Sequence, residues 1–302
     1  MRANQSTLVI KLGALGDMVQ ALPMFDVLRQ RFGDNLTLLT TAPFAEFAKR
    51  SGHFKAIICD DRTSLKTNLG VLCRLRKHYF ARIIDLQNVD RTRLYRFLLK
   101  GRFGQWIASP RNQKHTHPYE QYTDLCAAQK WPALPPIDIR MMAEPFDTLP
   151  PKPYVMVVAG ASNVHGGRKR WSQENYAALC SQLLKEGITT ILVGSVNDNL
   201  AELESLCVNT GVINLIGKTS LYQLITLGMN ANGAIGNDTG PQLIIAASGC
   251  PTVTLFSSVN PPSKGGAWPW DQTRYKNISA DDLTELSVDA VWDVLHRHIP
   301  LS

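Results

Sequence analysis

Short apolar runs alternate with longer stretches of helical period through most of the chain. Thr7–Leu12, Leu36–Thr41, Ala56–Cys59 and Arg82–Leu86 read as strands, with helical stretches around Phe44–Ser51 and Leu65–His78 between them. A helix is also expected after Met18, with an early interruption at Pro23. This alternation predicts a parallel sheet with crossover helices. The pattern then restarts. Tyr154–Val158, Thr189–Val193, Val212–Ile216, the segment ending at Ile235, and Thr252–Phe256 read as strands. Ser172 is placed to cap one helix, Leu221 lies at the start of another, and Pro241 opens a third. A terminal amphipathic helix spans roughly Leu283 to His298. Seven of the 17 prolines lie between Trp131 and Pro153, as in an interdomain connector. The expected organisation is therefore two α/β domains, 1–150 and 151–280, followed by a helix over 281–298.

Length and composition agree with this reading: 302 residues, 44% of them hydrophobic, suffice for two cores. Charge changes the picture more. The net charge is +7, but residues 1–150 carry 22 Lys/Arg against 13 Asp/Glu, and residues 151–302 carry 10 against 12. An anionic partner is expected for the first half, and specific contacts rather than field for the second. From Arg74 to Lys114 there are eleven basic residues and two acids, Asp85 and Asp90. The six cysteines form no Cys-x-x-Cys pair and no zinc spacing, which fits thiols kept in a reducing cytoplasm. The N-terminal apolar run is broken at Lys11, unlike a signal peptide, and no run is long enough to span a bilayer.

Candidate chemistry sits where strands end. The first strand runs into Gly13-Ala14-Leu15-Gly16-Asp17, a strand–turn–helix corner that lacks the Gly-x-Gly-x-x-Gly of a dinucleotide site. Such a corner can bind a ligand, and Asp17 closes it; the plain alternative for Asp17 is a helix cap. Asp85-Leu86-Gln87-Asn88 closes the fourth strand with polar groups, and Arg91 follows, able to meet a phosphate or to lie on a solvated helix face. In the second half, Gly160 to Trp171 is a long loop carrying Gly166, Gly167 and the cations Arg168, Lys169 and Arg170, a composition suited to an oligophosphate. Asp198 follows a strand end, where an acid can take ribose hydroxyls or cap a helix. Gly217-Lys218-Thr219 lacks the upstream glycine of a P-loop. Gly236-Asn237-Asp238-Thr239-Gly240, between a strand and Pro241, forms a helix start with unpaired N–H groups and a hydroxyl, ready for a phosphate.

These motifs, in this order, make the chain resemble glycosyltransferase family 9, the ADP-heptose:lipopolysaccharide heptosyltransferases. The resemblance rests on Lys11 to Asp17 with Leu22-Pro23, Asp85-Leu86-Gln87, Gly160-Ala161-Ser162, Lys169-Arg170-Trp171, Val193-Gly194, Asn237 to Gly240, Pro251 and Gly265-Gly266. It implies an α/β GT-B fold: two Rossmann-like domains facing across a cleft, acceptor in the first and nucleotide sugar in the second, with the last helix packing back on the first domain. It further implies an inverting transfer of heptose from ADP-heptose to an anionic inner-core glycolipid at the cytoplasmic face of the inner membrane. No metal, cofactor or nucleic acid is implied. Asp17 matches the catalytic base. Lys169, Asp198, Thr219, Asp238, Thr239 and Gly240 match donor-side positions; Lys11, Gln87 and Arg91 are acceptor-side candidates. Two departures stand out: Thr219 stands where Met is common, and Gln242 where His is frequent. A relative using another nucleotide sugar or acceptor, or a non-catalytic sugar-nucleotide-binding protein of the same fold, are the alternatives.

Overall fold

Leu8, Val9 and Ile10 are buried to the last atom and, with Thr7, form strand β1 (Thr7–Ile10). A strand this enclosed has neighbours on both sides and helices on both faces. In the computed structural model, which describes residues 6–60, 65–110, 117–161, 170–267 and 269–300, β1 is the centre of a five-stranded parallel sheet. The other strands of this sheet are β2 (Leu36–Thr40), β3 (Ala56–Cys59), β4 (Phe80–Asp85) and β5 (Phe103–Ala108), in the order β3-β2-β1-β4-β5. The register pairs Thr7 with Leu36 on one side and with Arg82 on the other. Helices α1 (Leu15–Phe32), α2 (Ala45–Arg50), α3 (Leu65–Arg76), α4 (Asp90–Leu98) and α5 (Pro118–Gln129) complete the unit.

Helix α1 runs unbroken through Pro23, where the sequence suggested an interruption. An internal proline costs about 3 kcal/mol. Every residue from Met18 to Phe25 is buried, and each large apolar side chain so enclosed returns about 1.5–3 kcal/mol, so packing outweighs the lost hydrogen bond.

The second unit repeats the plan with one more strand. After β6 (Tyr154–Val158) come α6 (Gln173–Lys185), β7 (Thr189–Val193), α7 (Ala201–Leu206), β8 (Ile213–Asn214), α8 (Leu221–Asn230), β9 (Gly233–Asn237), α9 (Gly240–Ala247), β10 (Thr252–Ser257), β11 (Tyr275–Ala280) and α10 (Val288–His298). The sheet order is β11-β10-β9-β6-β7-β8, all parallel. Each sheet therefore reverses its strand order once, between β1 and β4 in the first and between β6 and β9 in the second. Open α/β sheets hold ligands at that reversal, outside the carboxyl ends of the strands.

One boundary lies earlier than the sequence reading placed it. The chain divides at Ile137/Asp138 rather than near 150. The proline-rich segment belongs to the second unit because Glu144 fastens it to α8: its backbone N–H donates to Tyr222 O (3.2 Å), its carboxylate accepts from Ser220 Oγ (2.8 Å), and its carbonyl accepts from Thr226 Oγ1. Helix α10 sets its apolar stripe, Val291 and Leu295 with Ile299 beyond, in the second unit's core beside Trp171, Tyr176 and Leu179. The Trp171 indole N–H also donates to Leu286 O at 2.7 Å, just before α10 begins. Among the described residues no helix is long and apolar enough to cross a membrane.

Candidate functional site

At the reversal in the first sheet, the turn after β1 brings Lys11 and Asp17 together. Asp17 does not cap α1: the cap position is Ala14, which makes no side-chain cap bond, and Asp17 sits in the first helical turn. There its negative charge faces the positive end of the helix. Its side chain, 41% exposed, lies 3.7 Å from Lys11 Nζ, which is almost wholly enclosed. Burial works to lower the Lys11 pKa, but Tyr122 of α5 and the Asp17 carboxylate outweigh it, and the net direction is upward. Lys11 is thus an enclosed cation beside the Asp17 carboxylate.

Gly13 is what leaves Asp17 this position: a Cβ on Gly13 would fall 2.1 Å from Asp17 Oδ2. Gly13→Ala is accordingly expected to swing the carboxylate away and lower kcat about tenfold or more, since small displacements of a reacting group are costly. Steady-state kinetics beside a melting curve checks this: an unchanged kcat in a folded variant would show that the carboxylate position is immaterial.

The turn after β4 completes this reversal. Asp85 Oδ1 accepts from the N–H groups of Gln87 (3.1 Å) and Asn88 (2.8 Å). Burial pushes the Asp85 carboxyl above its ordinary pKa, while the hydroxyl of Thr92, the Asn88 and Gln87 N–H groups and the Lys11 charge pull the other way. Asn88 takes a left-handed backbone (φ 39°) and donates from Nδ2 to Ser109 O at 2.7 Å. Gln87 Oε1 accepts from Leu12 N–H at 3.0 Å and so ties the two strand ends together. Arg91 points elsewhere: its guanidinium makes a two-pronged pair with the fully buried Asp60, with Nε at 3.0 Å from Oδ2 and Nη2 on Oδ1. Tyr95 OH also donates to Asp60 Oδ2 at 2.8 Å.

In the second unit the ends of β6, β7, β8 and β9 collect the remaining candidates on one edge of the sheet. Asp198 follows β7 in a short 3-10 turn and accepts from Ser195 N–H at 2.7 Å, so the capping alternative is realised. Its carboxylate also reaches the end of β6, where a Cβ on Gly160 would meet Oδ2 at 2.2 Å. Thr219, half-buried, lies just after Gly217, whose Cβ position is filled by Val196 of the Asp198 turn. The loops after β7 and β8 are therefore neighbours.

Thr239 precedes α9 in extended conformation (φ −144°, ψ 164°) and makes no side-chain cap bond; its Oγ1 is buried without a partner among the described residues. Asp238 Oδ2 accepts from Asn260 Nδ2, so its carboxylate braces the turn. Gln242 turns inward: Nε2 donates to Val253 O (3.1 Å) and Thr254 Oγ1 (3.3 Å), while its Oε1 is buried without a partner among the described residues.

Lys169 and Arg168 lie outside the described residues, but the two ends of their loop do not. Arg170 Nε and Nη2 both donate to Ala161 O, the former at 2.9 Å. Asn237, wholly buried, donates from Nδ2 to Ala159 O (2.7 Å) and accepts from Trp171 N–H at Oδ1 (3.1 Å). The sequence marked Asn237 only as part of a turn. Its bonds join residues 78 and 66 positions away, and no local pattern reports them.

Residues 109–286 match the model of glycosyltransferase family 9 (heptosyltransferase). Over 126 residues the chain is 31% identical to lipopolysaccharide heptosyltransferase 2 of Salmonella typhimurium, a stretch that covers 40% of this chain and 36% of that protein. Among solved structures it is similar to a glycosyl transferase family 9 protein from Veillonella parvula (TM-score 0.78, 16% identity, 97% of each chain). It is also similar to the ADP-heptose lipopolysaccharide heptosyltransferase II of E. coli (TM-score 0.74, 21% identity, 97% of this chain and 98% of that one).

Proposed function

The chain belongs to glycosyltransferase family 9 and has the GT-B fold, and from that premise we propose that it moves heptose from ADP-heptose to a lipopolysaccharide inner-core acceptor, with inversion and without a metal. One observation carries the reading. The reversal in each sheet ends in a polar group placed for chemistry: in the first unit the partly exposed Asp17, positioned by Gly13 and Lys11, and in the second the Thr239 hydroxyl, which has no partner among the described residues. A carboxylate suits removal of a proton from a sugar hydroxyl. A hydroxyl beside the first turn of α9 suits the diphosphate of a leaving nucleotide.

In this mechanism Asp17 accepts the proton of the acceptor hydroxyl as that oxygen attacks the anomeric carbon from the face opposite the nucleotide. Lys11 orients the base, and Gln87 fixes the turn that carries it. The bond to the diphosphate breaks, and negative charge grows on the departing ADP. Thr239, the N–H groups at the start of α9 and the Lys169 ammonium stabilise that charge. Asp238 braces the turn through Asn260, and Gly240 admits the phosphates to the backbone. Asp198 binds the ribose through the oxygen not held by Ser195, and Thr219 borders the base. The reaction takes place at the cytoplasmic face of the inner membrane.

Thermal shift against ADP-, UDP- and GDP-sugars tests the donor assignment. A ligand at a hundred times its Kd stabilises the native state by about 2.7 kcal/mol. An upward shift with ADP-heptose and ADP is expected. A shift with UDP- or GDP-sugars alone would reassign the base, and none with any nucleotide would sink the donor site. Turnover is expected to survive EDTA; loss restored by Mg²⁺ would overturn the metal-free mechanism.

A further inference from the structure

Arg93, Arg96 and Phe97 lie at i, i+3 and i+4 on one face of α4, Lys100 lies in the turn just beyond it, and all four are exposed. Phe97, near the end of α4, has 74% of its surface in solvent. These residues border a groove of about 950 Å³ lined from α4 and from β5, with Trp106 among the strand's contributions. Among the described residues its lining contains one carboxylate, Asp85, and that side chain is buried. Three cations therefore face the groove with no exposed acid in it. Asp90, outside it, lies 3.8 Å from Arg93. Arg91, the cation that the sequence singled out, is excluded from this face by its pairing with Asp60.

An exposed ring among cations is ill suited to bulk water and well suited to the interface of an anionic bilayer. Lys and Arg gain from the negative surface potential there, and an aromatic or aliphatic side chain enters the headgroup layer. Leu94, next to Arg93, and Tyr79, whose hydroxyl lies against Gly104 of β5, extend the exposed apolar surface on the same stretch. We propose that this α4–β5 face docks on an anionic phospholipid surface, Arg93, Arg96 and Lys100 meeting headgroup phosphates and Phe97 entering between them. The proposal deepens the glycolipid-acceptor reading above and rests on it for its purpose, but its test contains neither acceptor nor donor.

The test is co-sedimentation of the full chain with phosphatidylcholine vesicles, with and without phosphatidylglycerol, over a range of NaCl. The wild-type protein is expected to bind only the anionic vesicles and to be released by salt. Replacing Arg93, Arg96 and Lys100 together with Gln should lower the partition coefficient by about 100-fold. Phe97→Ser alone should lower it about tenfold through lost apolar burial. A control with Arg31, Lys49 and Lys55 changed to Gln removes the same charge outside the groove and should stay within about threefold of wild type. Equal loss in the control would assign the binding to net charge and overturn the proposal. So would unchanged binding in the groove variant, or absence of wild-type binding. A dimer abolished by Phe97→Ser without vesicle binding would give the face to a second copy of the chain and likewise overturn it.

Discussion

Asp17→Asn is expected to lower kcat by about 10² or more, the scale of losing a general base. The substitution keeps the shape of the side chain, and the contacts that hold the turn do not depend on the charge: Leu12 N–H is bonded by Gln87, and α1 starts without a cap from Asp17. The fold should therefore survive, and nucleotide should still shift the melting temperature, because the donor groups lie in the other unit. What disappears is the capacity to accept a proton, since an amide has no basic lone pair near neutral pH. The Lys11 ammonium loses its partner at 3.7 Å but keeps Tyr122, which limits collateral damage. Measured at saturating acceptor, wild-type turnover in a folded Asp17→Asn protein would reduce Asp17 to a tether for Lys11.

Thr239→Val should move activity and stability in opposite directions. The hydroxyl is buried with no partner among the described residues, so it carries a desolvation cost that no described group offsets. Valine fills the same space without that cost, and a purely structural threonine would yield a variant as stable as the parent, or more so by up to about 1 kcal/mol. If the hydroxyl instead donates to the leaving diphosphate, kcat/KM falls by about 10²-fold, as when one donor is removed from a site that stabilises developing charge. Part of that loss appears in kcat, because the charge grows in the transition state. Lys169→Ala should show the same split. Denaturant titration and steady-state kinetics on one preparation decide the matter: a Thr239→Val enzyme with unchanged kcat/KM would assign the phosphates to other donors.

Much of this was legible in the sequence where the physics is local. The central strands declare themselves as apolar runs because they are covered on both faces; the corner ending in Asp17 and the turn ending in Gly240 declare themselves through glycine spacing and adjacent polar residues. Ser172 caps α6 as its position suggested, accepting from Asn175 N–H at 3.1 Å. The edge strands β5 and β11 escaped notice. Phe103–Ala108 and Tyr275–Ala280 contain exposed polar positions, and half-exposed strands lack the continuous apolar signature. The pairing of Arg91 with Asp60, 31 positions earlier, leaves no local sign, because only the fold brings the two together. Gln242 looked like a substitution for a ligand residue, whereas burial turns its amide onto β10. Missed contacts of this kind are tertiary pairings between strand ends, which depend on the sheet order.

Asn237 shows how narrow such a pairing can be. Ala159 O requires a donor and Trp171 N–H requires an acceptor, at 2.7 and 3.1 Å from the same side chain, with no solvent access to make up a deficit. Serine and threonine can donate and accept but are too short to span both. Aspartate serves Trp171 and turns a second oxygen against the Ala159 carbonyl. Leucine has the right bulk and strands both groups, at about 1–3 kcal/mol each. Glutamine has the chemistry and one methylene too many for a filled site. The admissible alphabet at position 237 therefore contracts to a single letter, although nothing in that side chain is reactive.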